Sequence, residues 1–369
     1  MKIGVPKEIK NNEARVAMTP DGVARLVGLG HVVLVQEDAG LGSGFLNQQY
    51  KQAGASIVQV GQVWAVDLVV KVKEPQKVEY QYFAGQMVFT FFHLAGVSKK
   101  LTEALIKKKV AALAYESLED ERGRLPILEP MSAIAGNMSV AMGVYYLASF
   151  NQGNGMQLGS ILGKAYGKVV VIGDGIVGWH AVNVSSAMGA QVIVMGLDGI
   201  AWAEKNSKLL PNVEFVESNQ KNIAEQVVDA DLVVGAVLCR GVHAPKVVTQ
   251  EMIKTMQQGA VIVDVSIDQG GCVETSIPTS HSEPVFVKHG VTHYCVSNMP
   301  GAYPKAATIA LTNVTIAYIK ELAQKGLEGF LDDRNRRQAL NTYQGKLVVE
   351  KLANELGLIS CYQSIEDLI

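Results

Sequence analysis

The sequence predicts a mixed α/β protein made of two Rossmann-like, doubly wound parallel-sheet domains with a cleft between them. Three observations carry that expectation. Short apolar runs rich in Val and Ile end in glycine or polar residues, the pattern of strands buried on both faces. Helical segments separate these runs, as parallel connections require. One run flows into Gly173-Asp174-Gly175-Ile176-Val177-Gly178, a strand, turn and helix in succession.

Taken in order, the first series of strands is Ile3–Pro6, Val32–Gln36, Leu68–Val72, Met87–Phe92 and Val110–Tyr115. Thr19 stands as N-cap and Pro20 as first helical residue of a helix that Gly28 or Gly30 closes. Ser98–Lys109 places Leu101, Leu105 and Ile106 at helical spacing. A long helix is expected over Met131–Phe150, followed by a glycine-rich loop over Asn151–Gly167. A second series then runs through Val169–Ile172, Gln191–Met195, Val213–Val216, Asp231–Val234, Ala260–Val265 and Thr292–Val296. Two tail helices, Ala306–Gln324 and about 336–356, have no strand of their own and are expected to return to the first domain. The predicted division is 1–128 plus 307–369 as a substrate domain, with 129–306 as the dinucleotide domain.

Composition narrows the classes. The chain has 369 residues, so at about 150 per domain two domains are expected. Hydrophobic residues are 48%, charged residues 18% and the mean hydropathy is +0.16, which excludes a mainly disordered chain. Net charge is −2 with no basic block, which argues against nucleic-acid binding. No apolar run is long enough to span a bilayer, and the start, with Lys7, Glu8 and Lys10, is unlike a signal peptide. A cytoplasmic protein with no membrane partner is the expectation. The cysteines Cys239, Cys272, Cys295 and Cys361 form no CxxC pair, and His281, His289 and His293 lack a metal-ligand spacing, so no required metal is expected. Cys239 reads as a small core residue.

The glycine turn has a specific physical logic. Gly173 makes the tight turn, Gly175 lets backbone approach a pyrophosphate, and Gly178 lets the helix pack on the strand. The helix start at Ile176 and Val177 then offers backbone N–H groups to the phosphates. The acid that normally meets the ribose at the end of the second strand is absent: the residue there is Gly196, and Asp198 either reaches the ribose from two positions later or no anchor exists. A hydrogen bond to a charged group is worth about 1.5–3 kcal/mol, so its loss weakens binding about 10–100-fold. Asp174 puts a negative charge in a turn meant for phosphate. No arginine follows the strand, so nothing favours NADP over NAD.

In open α/β sheets ligands bind beyond the carboxyl ends of strands. Lys73, His93, Asp268 and Asn298 all follow predicted strands. Each also has a bland reading: Lys71 and Lys73 as sheet-edge protection, His93 as a half-buried histidine, Asp268 as a turn residue, Asn298 as a helix cap. Together, beside a dinucleotide turn, they suit oxidation of a small amino acid. Lys73 or Arg15 supplies a cation for a carboxylate, His93 exchanges protons near neutral pH, and Asp268 stabilises an ammonium or iminium or orients water.

Several segments are similar to alanine dehydrogenases: Met1–Pro20, Val70–Pro75, Phe89–Leu94, Pro130–Gly136, Gly235–Leu238, Val263–Gly271 and Cys295–Pro300. The resemblance covers nearly the whole chain. It implies reversible oxidative deamination of L-alanine to pyruvate and ammonia with NAD, by a homohexamer. It further implies that Arg15 and Lys73 hold the substrate, that His93 is the acid/base, and that Asp268 supports the imine and the reacting end of the cofactor. Ser132, Val237, Leu238, Ile267, Asn298 and Met299 fall on the nicotinamide side, Asn298 also beside the substrate. Two positions depart from the family pattern: its acidic ribose anchor falls on Gly196, and its small residue between the first two glycines falls on Asp174. The alternatives are a related enzyme with another amino-acid substrate, a transhydrogenase-like subunit, or a nucleotide-binding homologue without catalysis.

Overall fold

The structure, a computed structural model, describes residues 1–205, 211–238 and 243–368. Cys239 lies outside the described residues. The chain divides into two compact units, Met1–Met131 with Tyr303–Ile369, and Ser132–Ala302.

The first unit is built on an eight-stranded sheet. Its strands are β1 (Lys2–Val5), β2 (Val32–Gln36), β3 (Ser56–Val58), β4 (Leu68–Val70), β5 (Met87–Thr90), β6 (Ala111–Ala114), β16 (Leu340–Tyr343) and β17 (Lys346–Leu347). Their order is β17-β16-β6-β5-β4-β1-β2-β3. β1 to β6 are parallel, and the order reverses between β1 and β4. Leu68, Val69 and Val70 are completely buried, as expected of an interior strand covered on both faces. The helix Pro20–Gly28 starts as its sequence dictates: Thr19 Oγ1 accepts from Gly22 N at 3.2 Å, and Pro20 opens the first turn. Thr19 N in turn donates to Thr312 Oγ1 at 3.1 Å, fixing the long helix Pro304–Leu331 against this corner.

The second unit holds a seven-stranded sheet: β9 (Lys168–Ile172), β10 (Gln191–Gly196), β11 (Val213–Glu217), β12 (Leu232–Gly235), β13 (Val261–Asp264), β14 (Val285–Lys288) and β15 (Val291–Tyr294). The order is β11-β10-β9-β12-β13-β15-β14, parallel except for β14. It reverses between β9 and β12, the switch point at which such sheets bind ligands. Val169 to Ile172 are fully buried between two apolar clusters, one on each face.

Two expectations are corrected. Residues 151–167 are not all loop: β7 (Gly159–Ile161) and β8 (Lys164–Tyr166) form a hairpin. Its two-residue turn, Leu162-Gly163, has φ of 52° and 81°, the sense that matches strand twist. The second tail helix over about 336–356 is also absent. Short helices over Arg334–Arg337 and Glu350–Glu355 flank the β16–β17 hairpin, which pairs antiparallel to β6. Gln344-Gly345, with φ of 48° and 83°, makes the same kind of turn. The first tail helix runs further than Gln324, to Leu331, with a break at Gly326 where φ is 72°.

Candidate active site

In the first unit the segments after β1, β4, β5 and β6 leave the same edge of the sheet, β1 and β4 flanking the switch point. Glu8 organises the first two. Its Oε1 accepts from Val72 N at 2.6 Å and Lys73 N at 3.3 Å, and its Oε2 from Lys71 Nζ at 3.1 Å. Lys71 also donates to Glu79 Oε1 at 3.0 Å. All three side chains are buried. Burial pulls the Lys71 ammonium down, but the two carboxylates together outweigh it and hold it above its ordinary value. Burial raises the Glu8 carboxyl, against the pull of Lys71. β4 lies inside the sheet, so neither Lys71 nor Lys73 protects an edge; that reading is set aside. Lys73 is itself 9% exposed, and its carbonyl accepts from Thr90 Oγ1 at 2.9 Å.

Arg15 is 2% exposed. Glu13 grips it in a fork, Nε to Oε1 at 2.7 Å and Nη2 to Oε2 at 2.6 Å, the planar match that makes arginine pairs specific. Nη1 points at Met131 Sδ, 3.2 Å away. Thioether sulfur is a weak acceptor.

His93 is exposed and sits just past β5 in a left-handed conformation, φ 47°. Its ring stacks on Phe91 with centroids 5.6 Å apart. The Glu116 carboxylate, beyond β6, accepts from His93 N at 2.6 Å and Phe92 N at 3.2 Å, which holds the backbone in this turn. Sequence reasoning missed Glu8, Glu13 and Glu116; for Glu116, the acid directly after the apolar run Val110–Tyr115 was an available signal.

In the second unit the glycine turn follows β9. Gly173 has φ 113°, and a β-carbon there would stand 2.4 Å from Ala236 O, across the switch point. A β-carbon on Gly178 would stand 1.8 Å from Gly173 O, so only glycine fits. At Gly175 it would meet nothing within 4 Å, leaving open space beside the start of helix Ile176–Met188. Tight where the chain folds on itself and open where a phosphate would approach, the turn fits a dinucleotide. Ser132 lies in the helix Glu129–Leu147, one turn before Gly136, whose own β-carbon would be 2.4 Å from Val177 O. That close crossing brings the Ser132 helix against the start of the glycine-turn helix.

The remaining candidates follow neighbouring strands. Val237 and the exposed Leu238 come after β12, and Val237 O accepts from Ser266 Oγ at 2.8 Å. Ile267 (buried) and Asp268 (exposed) occupy the 3-10 turn Val265–Gln269 after β13. Asp264, fully buried and missed from sequence, holds this turn: its carboxylate accepts from Ser266, Cys272 and Val273 N at 3.1, 3.3 and 3.1 Å. Asn298, with φ 61°, and buried Met299 follow β15. Asp198 Oδ1 accepts from Ile200 N and Ala201 N, each at 3.0 Å, so that oxygen caps the helix Gly199–Lys205. Within each unit, then, the candidates gather at the carboxyl edge of one sheet.

Among the described residues no helix is long and apolar enough to cross a membrane. Residues 4–135 match the family model "Alanine dehydrogenase/PNT, N-terminal domain", and residues 139–350 match "Alanine dehydrogenase/PNT, C-terminal domain". An alanine dehydrogenase of Staphylococcus haemolyticus is 47% identical over 373 aligned positions, covering 100% of this chain and 99% of its own. One from Bacillus subtilis is 46% identical, covering 97% and 95%. Among solved structures an L-alanine dehydrogenase superposes with a TM-score of 0.93 at 42% identity, over 97% of this chain and all of that one. A transhydrogenase from Sinorhizobium meliloti, 23% identical, shares the fold with a TM-score of 0.80 over 94% and 99%. With both halves matched and full-length relatives near half identity, the chain belongs to the alanine dehydrogenase/PNT family.

Proposed function

We propose that this chain catalyses the reversible NAD-dependent oxidative deamination of L-alanine to pyruvate and ammonia. The observation that carries the reading is the set Arg15, Lys73 and His93 at the carboxyl edge of one parallel sheet, in a chain alike to alanine dehydrogenases from end to end. A bound nicotinamide dinucleotide supplies the hydride acceptor.

The chain's own residues do the rest. Arg15, oriented by Glu13, and the Lys73 ammonium neutralise the substrate carboxylate, and Lys73 polarises the carbonyl oxygen of pyruvate. Once the α-ammonium has released a proton to solvent, loss of hydride from Cα of the free amine leaves an iminium, whose positive charge the exposed Asp268 carboxylate stabilises. His93 takes a proton from the water that adds to the imine carbon and returns it to the departing ammonia. Ser132, Val237, Leu238, Ile267, Asn298 and Met299 enclose the nicotinamide, and Gly173 to Gly178 hold the pyrophosphate. The family resemblance extends the proposal to a cytoplasmic homohexamer, which light scattering reads as a mass of six chains.

Initial rates with NADH or NADPH, each with pyruvate and ammonium, test the reading. Oxidation of NADH is expected only with both co-substrates present, with little from NADPH. Lys73→Ala and His93→Ala are expected to lose turnover by about 10²–10⁴-fold, the range for a positioned acid/base, and to bind NADH as the parent does. No oxidation with pyruvate, but oxidation with another 2-oxo acid, would move the assignment to a different amino acid. NADH binding without turnover on any of them would favour a nucleotide-binding homologue.

A further inference from the structure

We propose that Asp174, inside the glycine turn, is the carboxylate that recognises the adenosine ribose and so sets the preference for NADH over NADPH. The proposal rests on the reading of the second unit as a dinucleotide site. In doubly wound folds an acid about 20 residues beyond the glycine turn, at the end of the second strand, accepts from the ribose hydroxyls and repels a 2′-phosphate. Here that place is Gly196, the last residue of β10.

The structure fills the place from elsewhere. A β-carbon built on Gly196 would lie 2.5 Å from Asp174 Oδ2 and 2.6 Å from its Cγ. The Asp174 carboxylate therefore sits where a side chain on residue 196 would begin. Phe215 Cε2, 2.9 Å from the same point, closes the space further. The two departures from the family pattern are thus one change: the acid reaches the ribose position from the turn after β9, and the strand end is emptied to admit it. Backbone contacts fix the geometry. Gly173 N donates to Met195 O at 2.8 Å, β9 and β10 pair Ile172 with Met195, and Ser218 N donates to Gly196 O at 2.7 Å. Because the side chain turns towards β10, its charge is carried away from the open space at Gly175, where the pyrophosphate would approach.

Asp174 is exposed, and among the described residues no hydrogen bond or ion pair engages its carboxylate. Both oxygens can accept from a ribose diol. The neighbouring acids are placed less well. Asp198 Oδ1 is engaged in capping Gly199–Lys205. Glu217 pairs with Gly196 from β11, one strand further from the turn.

The test is NADH and NADPH binding, read by nucleotide fluorescence, to the wild type, Asp174→Ala, Asp174→Asn, Asp198→Ala and Glu217→Gln. Thermal unfolding confirms that each variant folds. Asp174→Ala is expected to weaken NADH binding about 10–100-fold, the loss of hydrogen bonds to a charged acceptor. NADPH binding should hold or tighten, so the ratio of the two affinities collapses. Asp174→Asn, neutral but still an acceptor, should fall between. The inference is overturned if Asp174→Ala binds NADH like the wild type, or if the selective loss appears in Asp198→Ala or Glu217→Gln instead. A wild type that oxidises NADH with pyruvate and ammonium while Asp174→Ala keeps its affinity removes only the ribose assignment. A wild type that binds neither nucleotide removes the functional reading with it.

Discussion

His293 is held neutral by its surroundings. It is fully buried on β15, its ring stacked on Phe286 with centroids 4.9 Å apart. Nδ1 lies 2.9 Å from Val291 O, an acceptor, so Nδ1 carries the proton and Nε2 accepts from Thr275 Oγ1 at 2.7 Å. Both ring nitrogens are satisfied without a charge, and burial lowers the pKa from its ordinary 6.5 even though Asp264 pulls the other way. The unfolded chain therefore binds this proton first as pH falls. The stability that His293 contributes is complete above about pH 6.5 and is lost as pH falls from there towards the depressed folded value. His180, lowered by burial too, adds to the same slope. Urea midpoints between pH 7.5 and 5 should fall steeply for the wild type and less steeply for His293→Gln. Parallel curves would show that the imidazole is not the titrating group.

At the scale of elements, the glycine turn and its helix act as one piece. Trp179 N donates to Gly175 O at 2.8 Å, and Gly178 rests on Gly173 O. Gly178→Ala forces a methyl into backbone that has no rotamer to yield, so the helix start must move off the turn. A cost of about 1–3 kcal/mol or more is expected for such overpacking, read as a lower thermal midpoint, together with weakened NADH binding. Unchanged binding would show that the close contact does not set the phosphate cradle. This element was legible from sequence because three glycines at fixed spacing after an apolar run have few other physical uses. So were the buried strands, such as Val169–Ile172, whose unbroken Val/Ile content matches burial on both faces. The β16 hairpin was not, because Leu340 to Leu347 lies between helix-forming neighbours and its apolar residues suit either period; Gln344-Gly345 was the signal overlooked. The seating of Asp174 over Gly196 was not legible at all. Each looked like a defect alone, since residues 22 apart in sequence meet only through the pairing of β9 with β10.

For the molecule as a whole, chain order matters. The first unit takes residues 1–131 and is completed only by 303–369. Until those last residues are made, β6 is a bare edge: Ala111 to Ala114 is an apolar strand with unpaired backbone, the kind that recruits other chains. β16 covers it, with Ala114 N donating to Ala339 O at 2.6 Å and Thr342 Oγ1 to Val110 O at 2.8 Å. Leu347, Leu352, Ala353 and Leu358 then complete the core beneath, against Phe92, Leu101, Leu105 and Val110. Three buried leucines at about 1.5–3 kcal/mol each match a large share of a domain's net stability of about 5–15 kcal/mol. A chain ending at Arg337 therefore loses both the edge cover and the core that sustains this sheet. It should accumulate as aggregate, measured as a collapse of the soluble fraction after expression and the absence of a cooperative unfolding transition for the first unit. A soluble Arg337-terminated protein that still turned over pyruvate, ammonium and NADH would mean that β1 to β6 suffice, and that the returning segment serves something other than the stability of the sheet carrying Arg15, Lys73 and His93.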